Sequence, residues 1–111
     1  MIAIRMEGLA RRFRDTSAVD GLTLSVERGE IFGLVGPDGA GKTTTMRLLA
    51  AILDPTGGDA WILGHSVRGD AAEVHRRIGY MSQRFGLYAD LTVLENLHFH
   101  AELHGVPRRD R

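Results

Sequence analysis

One octapeptide, residues 36–43, constrains this chain more than any other part of its sequence. It reads GPDGAGKT and matches the pattern G-x-x-x-x-G-K-[ST]. The glycines of that pattern permit the positive φ angles that aim several backbone N–H groups at one anion. A continuous apolar run, residues 31–35, precedes the octapeptide, and apolar residues at helical spacing follow it. Because strand, loop and helix in that order form a phosphate-binding loop, the sequence predicts a nucleotide-phosphate site rather than a chance glycine-rich turn.

The chemistry assigns a role to each part of this loop. We expect the side chain of Lys42 to reach the β- and γ-phosphates as a point charge, and the hydroxyl of Thr43 to bind Mg²⁺. Thr44 is placed for a further phosphate contact. The first turn of the following helix adds unpaired N–H groups and the positive end of the helix dipole. The other residues expected to line the phosphates are Gly36, Pro37, Asp38, Gly39, Ala40 and Gly41.

The remaining pattern predicts an α/β domain. Alternation of apolar and polar residues in 2–7 and 22–26 predicts two half-buried strands, whereas the unbroken apolar run 31–35 predicts a central strand covered on both faces. From Lys42 to Pro55 the spacing predicts a helix packed on that strand. Its apolar face comprises Met46, Leu49, Ala50 and Leu53. The strands before the loop indicate an antiparallel addition to the α/β fold.

Downstream, two short apolar segments, 60–63 and 78–82, predict further strands. Two pairs of polar residues predict helix starts. Asp70 with Glu73 begins a short helix that ends near Arg77, and Thr92 with Glu95 begins a second helix that stops at Gly105 and Pro107. The second helix carries Leu94, Leu97 and Ala101 on one face.

Composition excludes several classes of protein. The 111 residues contain 14 Lys plus Arg and 14 Asp plus Glu, so the net charge of zero argues against nucleic acid as a partner. Without cysteine there is no disulfide framework and no thiolate metal site. No apolar run reaches the roughly 18 residues of a membrane span, and the N-terminus lacks a signal peptide pattern, so we expect a cytoplasmic chain.

Two segments carry a resemblance to the nucleotide-binding domains of ABC transporters, most closely the ATP-binding subunits of bacterial drug or polyketide exporters. They read GLTLSVERGEIFGLVGPDGAGKTTTMRLLAAILDPTGGDAWILG and IGYMSQRFGLYADLTVLENL. The resemblance implies a P-loop NTPase with a RecA-like core and an N-terminal antiparallel β addition, truncated before the helical subdomain is complete. It divides the chain into an antiparallel β region (about 1–30), a Walker A core (about 31–82) and a Q-loop with the start of the helical subdomain (about 83–111).

The resemblance also implies ATP and Mg²⁺ as ligands. In the family an aromatic residue upstream of the loop stacks on adenine, which is the role of Phe13 here, and a glutamine after a strand reaches Mg²⁺ and the γ-phosphate, which is the role of Gln83. Thr43 and Gln83 would be the metal ligands. The expected partners are transmembrane permease subunits and a second nucleotide-binding domain, as a homodimer or a fused tandem. The expected location is peripheral, on the inner face of the cell membrane.

The sequence departs from the family in two residues. Phe13 stands where Tyr is more common, which removes a hydroxyl but keeps the ring face. Asp38 stands where Asn is most common, and a carboxylate beside phosphates is unfavourable unless it points away or meets a donor. We expect Asp38 to face outward or to accept backbone N–H bonds. After Gln83, the residues Phe85, Leu87 and Tyr88 are candidates either for the contact with the membrane partner or for local core.

The family's hydrolytic motifs are not in these 111 residues. An LSGGQ-type signature, a Walker B strand, a catalytic glutamate and a switch histidine are all missing, and the segment 48–54, which imitates Walker B, has the spacing of the first helix's end. We therefore expect an N-terminal fragment, about half of a domain, that binds nucleotide weakly and hydrolyses it negligibly, within a full-length ATPase coupled to transport.

Two other functional classes remain open, and two features of the sequence could be mistaken for functional sites. A small-molecule kinase has a similar loop but places it after its first strand, and a non-hydrolysing nucleotide-sensing module would suit a short chain. His98, His100 and His104 lie along one helix. His100 and His104, four residues apart, could share a metal, but no third ligand is evident, which favours a solvated face over a metal site. Trp61 is expected to pack on its strand.

Overall fold

The structure, a computed structural model, describes residues 1–37, 39, 41–82 and 87–111. They form two compact units, Met1–Tyr80 and Met81–Arg111. The first unit contains a four-stranded sheet in the order β2-β1-β3-β4, with each neighbouring pair antiparallel. Its strands are β1 (Ile2–Phe13), β2 (Thr16–Glu27), β3 (Gly57–Ile62) and β4 (His65–Ser66).

The two predicted N-terminal strands are confirmed, and both are longer than the alternating segments. Ile4 pairs with Val26 and Met6 pairs with Leu24, so the apolar members of both strands lie on one face. That face supplies buried residues to a core shared with the helix after the loop. The core comprises Met6, Leu9, Val19, Leu48, Ala60, Ile62, Val67 and Val74.

The pairing of β1 with β2 is irregular near the hairpin turn. Arg11 is paired with Val19, but the next residue, Arg12, is paired with Ser17. Ala18 is therefore an extra residue on β2, as in a β-bulge, and its backbone departs from the regular ladder.

Helix α1 (Lys42–Leu49) begins where the sequence predicts but ends six residues before Pro55. Ala51 has a φ of +57°, a left-handed conformation that reverses the chain and ends the helix early. The buried face also differs from the predicted one, because Leu48 is fully buried and Met46 is half exposed. The helix contacts β2 and β3 rather than a central strand.

The predicted strands at 31–35 and 78–82 are wrong for this structure, in which neither segment has regular secondary structure. Ile31 and Val35 are almost fully exposed, at 102% and 92% of their reference areas. A strand buried on both faces needs a hydrogen-bonded neighbour at each edge. Every ladder among the described residues is antiparallel and none includes either segment.

Helix α2 (Ala71–Arg77) confirms the predicted short helix with Asp70 as its N-cap, but the cap works differently. The carboxylate of Asp70 makes no capping bond to the helix and instead lies 2.7 Å from Nδ1 of His65. The carboxylate of Glu73 is likewise turned along the helix, where it pairs with Arg76 and Arg77.

In the second unit, α3 (Val93–Leu103) has the predicted capping box. The N–H of Glu95 donates to Oγ1 of Thr92 at 3.1 Å, and the N–H of Thr92 donates to Oε1 of Glu95 at 2.9 Å. Asn96, which is buried, accepts from the N–H of Tyr88 and so ties the preceding segment to the helix. A short 3₁₀ helix, Arg108–Asp110, follows. None of the helices in the described ranges combines the length and the apolar character that a membrane crossing requires.

Candidate phosphate-binding site

Gly41 forms the junction between the loop and α1. It is the N-cap of the helix, with a left-handed φ of +85°. Its carbonyl accepts two hydrogen bonds of 2.8 Å from Thr45, one from the backbone N–H and one from the hydroxyl. Thr45 is 4% exposed, so this buried hydroxyl fixes the junction from the core side. The sequence reading did not single out Thr45, although a threonine four residues after the last loop glycine is a usable signal.

The other side of Gly41 meets the β-bulge of β2. A Cβ atom built on Gly41 would lie 2.2 Å from the carbonyl oxygen of Ala18, closer than such atoms ever come. Only glycine permits this approach, so the backbone of β2 sets the position of the loop where the helix starts. No residue type in the sequence marks Ala18, because the contact is made by a carbonyl group.

An open groove of about 460 Å³ runs between β2 and the loop. Residues 17–23 of β2 form one side, and Leu34, Val35, Gly39, Lys42 and Thr45 form the other. Gly39 has a φ of +86°, and a Cβ built there would meet no atom within 4 Å. The loop therefore presents backbone, unobstructed by side chains at this position, to an open space of the size that a nucleotide's phosphates need.

Lys42, the first residue of α1, lines this groove and donates a hydrogen bond to the carbonyl of Gly36. The ammonium group of Lys42 is thereby hydrogen-bonded to a carbonyl of the loop itself. A bound phosphate would replace that acceptor with a charged one, which makes a stronger bond. Thr43 and Thr44 follow in the first turn of the helix, which contains no acidic residue to oppose an anion.

Four of the predicted site and interface residues lie outside the described residues: Asp38, Ala40, Gln83 and Phe85. The expected orientation of Asp38 and the γ-phosphate role of Gln83 remain predictions. Of the other interface candidates, Leu87 is 44% and Tyr88 50% exposed, and the ring of Tyr88 packs edge-on against Phe99. Pro37 is exposed.

Phe13, the predicted base-stacking residue, is the last residue of β1 and is 44% exposed. It pairs with Thr16, next to Ser17, where the β2 side of the groove begins. The backbone of Phe13 thus adjoins the strand segment that lines the groove. The guanidinium of Arg11 stacks on the Phe13 ring, with Cζ 4.7 Å from the ring centroid.

Trp61 and His100 each contact a neighbouring side chain. Trp61 lies in β3 and carries the guanidinium of Arg5 at 4.2 Å from its ring, so it packs on its strand as expected. His100 stacks edge-on with Phe99. Within the part of the chain that the structure describes, no cluster of three His, Cys, Asp or Glu side chains is arranged to hold a metal.

Comparison with known proteins identifies the family to which this chain belongs. The family model described as "ABC transporter" matches residues 19–110. The probable multidrug ABC transporter ATP-binding protein YbhF of Escherichia coli (strain K12) is 42% identical over 106 residues, which are 96% of this chain and 18% of that protein. The daunorubicin/doxorubicin resistance ATP-binding protein DrrA of Streptomyces peucetius is 44% identical over 103 residues, 93% of this chain and 31% of that one.

Solved structures that resemble this fold also come from ABC transporters. A solved ATP-binding subunit of an ABC transporter superimposes with a TM-score of 0.83 at 26% identity, over 96% of this chain and 45% of that one. The chain therefore spans less than half the length of each of these proteins. The matched region includes the loop, α1 and both helices that follow, and its fold is that of a P-loop NTPase cassette. The 111-residue chain belongs to the ABC transporter family, and its relatives include ATP-binding proteins of multidrug and drug-resistance transporters.

Proposed function

We propose that this chain binds Mg-ATP in the groove between β2 and the loop, as part of an ATPase subunit that powers export across a membrane. One observation carries the proposal: two glycines with positive φ, Gly39 and Gly41, present the loop backbone and the start of α1 to an open groove lined by Lys42. A site of this kind offers N–H donors, a helix dipole and one cation to the same anion.

The described residues of the groove suit the phosphates of a nucleotide. The backbone of the loop would hold the β- and γ-phosphates, Lys42 would add a charged bond, and the hydroxyl of Thr43 would be a metal ligand together with Gln83. Bound Mg²⁺ would neutralise part of the charge on the phosphates. Phe13, whose strand partner Thr16 is next to the lining residue Ser17, would stack on adenine.

We propose that hydrolysis, transport direction and partners depend on residues outside these 111. The ATPase site of the longer protein would be completed by such residues, from the same domain and from a second nucleotide-binding domain. Export is favoured because the relatives YbhF and DrrA are named for multidrug transport and for drug resistance. The chain would then act on the cytoplasmic face of the membrane with permease subunits.

The test is the affinity of the 111-residue chain for a non-hydrolysable ATP analogue with Mg²⁺, measured by calorimetry. Replacing Lys42→Ala removes one charge-assisted bond and is expected to weaken binding about 10- to 100-fold. Arg47→Ala is the matched control, since it removes an exposed cation from the last turn of the same helix. Its affinity should stay within about twofold of the parent, because Arg47 is exposed and does not line the groove.

The uniqueness of Lys42 allows a second measurement. It is the only lysine in the sequence, so an amine-specific reagent can label only this side chain and the N-terminus. ATP should protect the side chain and leave the N-terminus reactive. Equal weakening by Lys42→Ala and Arg47→Ala, or labelling of Lys42 unchanged by saturating ATP, would refute the proposed site.

A further inference from the structure

One face of the Phe13 ring is covered by the side chain of Arg11, which lies on the same strand. Arg11 and Phe13 are two residues apart on β1, so their side chains project from the same face of the sheet. The guanidinium carbon of Arg11 is 4.7 Å from the centroid of the ring, within the range of a cation–π contact. Since Phe13 remains 44% exposed, the contact leaves ring surface open to solvent.

The guanidinium is anchored as well as stacked. Its Nη1 donates a 2.6 Å hydrogen bond to the carbonyl of Asp54, which lies between α1 and β3. Its Nε is buried, and no described residue accepts a hydrogen bond from it. A buried N–H without an acceptor costs free energy, so the contacts made by the rest of the guanidinium must hold it there.

The carbonyl that anchors Arg11 is itself held against β1. The N–H of Thr56 donates to the carbonyl of Ala10 at 2.9 Å, and its hydroxyl accepts from the N–H of Arg12 at 3.0 Å. These two bonds fix the segment that contains Asp54 beside the end of β1. The resulting chain of contacts runs from this segment through Arg11 to Phe13.

We propose that Arg11 is a positioning residue for the base of the bound nucleotide. Its guanidinium covers one face of the Phe13 ring and fixes the ring's rotamer, so that the opposite face is presented to the base. This inference rests on the proposed function, because it requires that a nucleotide in the groove places its base on Phe13. Preorganisation of this kind strengthens binding by removing the cost of ordering the ring at the moment of binding.

The test compares two ligands that differ in the base. The affinities of the 111-residue chain for Mg-ATP and for Mg-tripolyphosphate are measured for the parent, Arg11→Ala and Arg12→Ala. We expect Arg11→Ala to weaken ATP binding about three- to tenfold, as loss of one cation–π contact and of the ring's order implies. Tripolyphosphate binding should change less than about twofold, since this ligand has no base that could contact the Phe13 ring.

Arg12→Ala is the matched control. It removes the same charge from the adjacent residue, whose side chain is exposed and projects from the other face of β1. Arg11→Met keeps an apolar stem in place of the guanidinium, and it replaces Arg11→Ala if the alanine variant loses its thermal unfolding transition. In a double-mutant cycle, adding Arg11→Ala to Phe13→Ala should weaken ATP binding by less than about twofold, because the two changes remove one contact.

The outcomes separate this inference from the proposed function. Equal weakening of ATP and tripolyphosphate by Arg11→Ala would show a general structural role and overturn the inference, as would effects identical to those of Arg12→Ala. If Phe13→Ala weakens ATP binding selectively while Arg11→Ala does not, Phe13 still contacts the base and only the positioning role of Arg11 fails. If neither ligand binds the parent chain, or Lys42→Ala affects neither, the proposed function itself fails.

Discussion

Gly41 is the residue whose replacement best tests how the loop is held. In Gly41→Ala, the new Cβ would lie 2.2 Å from the carbonyl oxygen of Ala18, at a φ of +85°. The left-handed conformation alone costs an alanine about 1–2 kcal/mol. Relief of the clash requires movement of backbone on both sides, for which overpacking a tight site suggests about 1–3 kcal/mol more. We therefore expect the free energy of unfolding to fall by about 2–5 kcal/mol in total.

Gly64→Ala separates the two contributions. Gly64 lies in the turn between β3 and β4 and has the same φ of +85°, but a Cβ there would meet nothing within 4 Å. It should therefore lose only the conformational part, about 1–2 kcal/mol. Urea denaturation can be followed by the fluorescence of Trp61, the only tryptophan in the sequence, which reports on the unit that contains both glycines.

The test is the difference between the two variants in their loss of unfolding free energy. If Gly41→Ala and Gly64→Ala lose the same free energy within about 0.5 kcal/mol, close to the additivity error of such comparisons, the contact between the loop and the bulge of β2 does not hold the loop. If instead Gly41→Ala is the more costly variant, its nucleotide affinity should also fall, because the same contact sets the position of the phosphate-binding backbone.

Three further predictions concern the core, the exposed apolar run and a helix cap. Leu48→Ala should cost about 2–5 kcal/mol in urea denaturation because Leu48 is fully buried, whereas the half-exposed Met46→Ala should cost less than about 1 kcal/mol. Ile31→Ser should change the free energy of unfolding of this chain by less than about 0.5 kcal/mol, and a loss above about 2 kcal/mol would mean that Ile31 is buried after all. The backbone N–H and the hydroxyl of Thr92 hold the pKa of Glu95 below its ordinary value of 4.5. The charged cap therefore stabilises α3 at neutral pH, and this stabilisation is lost as the pH falls below about 4.5. An NMR titration should show the low pKa of Glu95 in the parent chain and a higher pKa in Thr92→Val. An unshifted pKa of Glu95 in the parent would contradict the cap.

Elements that depend on neighbours in sequence could be predicted best. The octapeptide, the start of α1 and the capping box of Thr92 and Glu95 each arise from groups within a few residues of one another. The period-two alternation likewise identified the first two strands, because one buried face is sufficient to produce it. The same local reasoning extended α1 too far, since nothing in the apolar spacing reveals the left-handed turn at Ala51.

Contacts between distant segments could not be predicted in this way. The carbonyl of Ala18 leaves no trace in the sequence, and the pairing of His65 with Asp70 took the place of an expected helix cap. Arg11 was visible beside Phe13, and alternation along a strand places the two on one face. Only the structure shows that the carbonyl of Asp54 fixes the guanidinium there.

The exposed run at 31–35 shows how a binding loop can be positioned without the strand before it. A cavity of about 500 Å³ lies in the first unit, with Phe32 and Leu34 lining it together with apolar residues of the sheet and α1. The run has no strand neighbour among the described residues, and Ile31 and Val35 are almost fully exposed, so the run does little to fix the loop. What fixes it is the opposite end, where Gly41 contacts Ala18 and is bonded by Thr45. Since a helix start and a β-bulge both persist when parallel strand pairing is lacking, the predicted insensitivity to Ile31→Ser and sensitivity to Gly41→Ala follow from one cause.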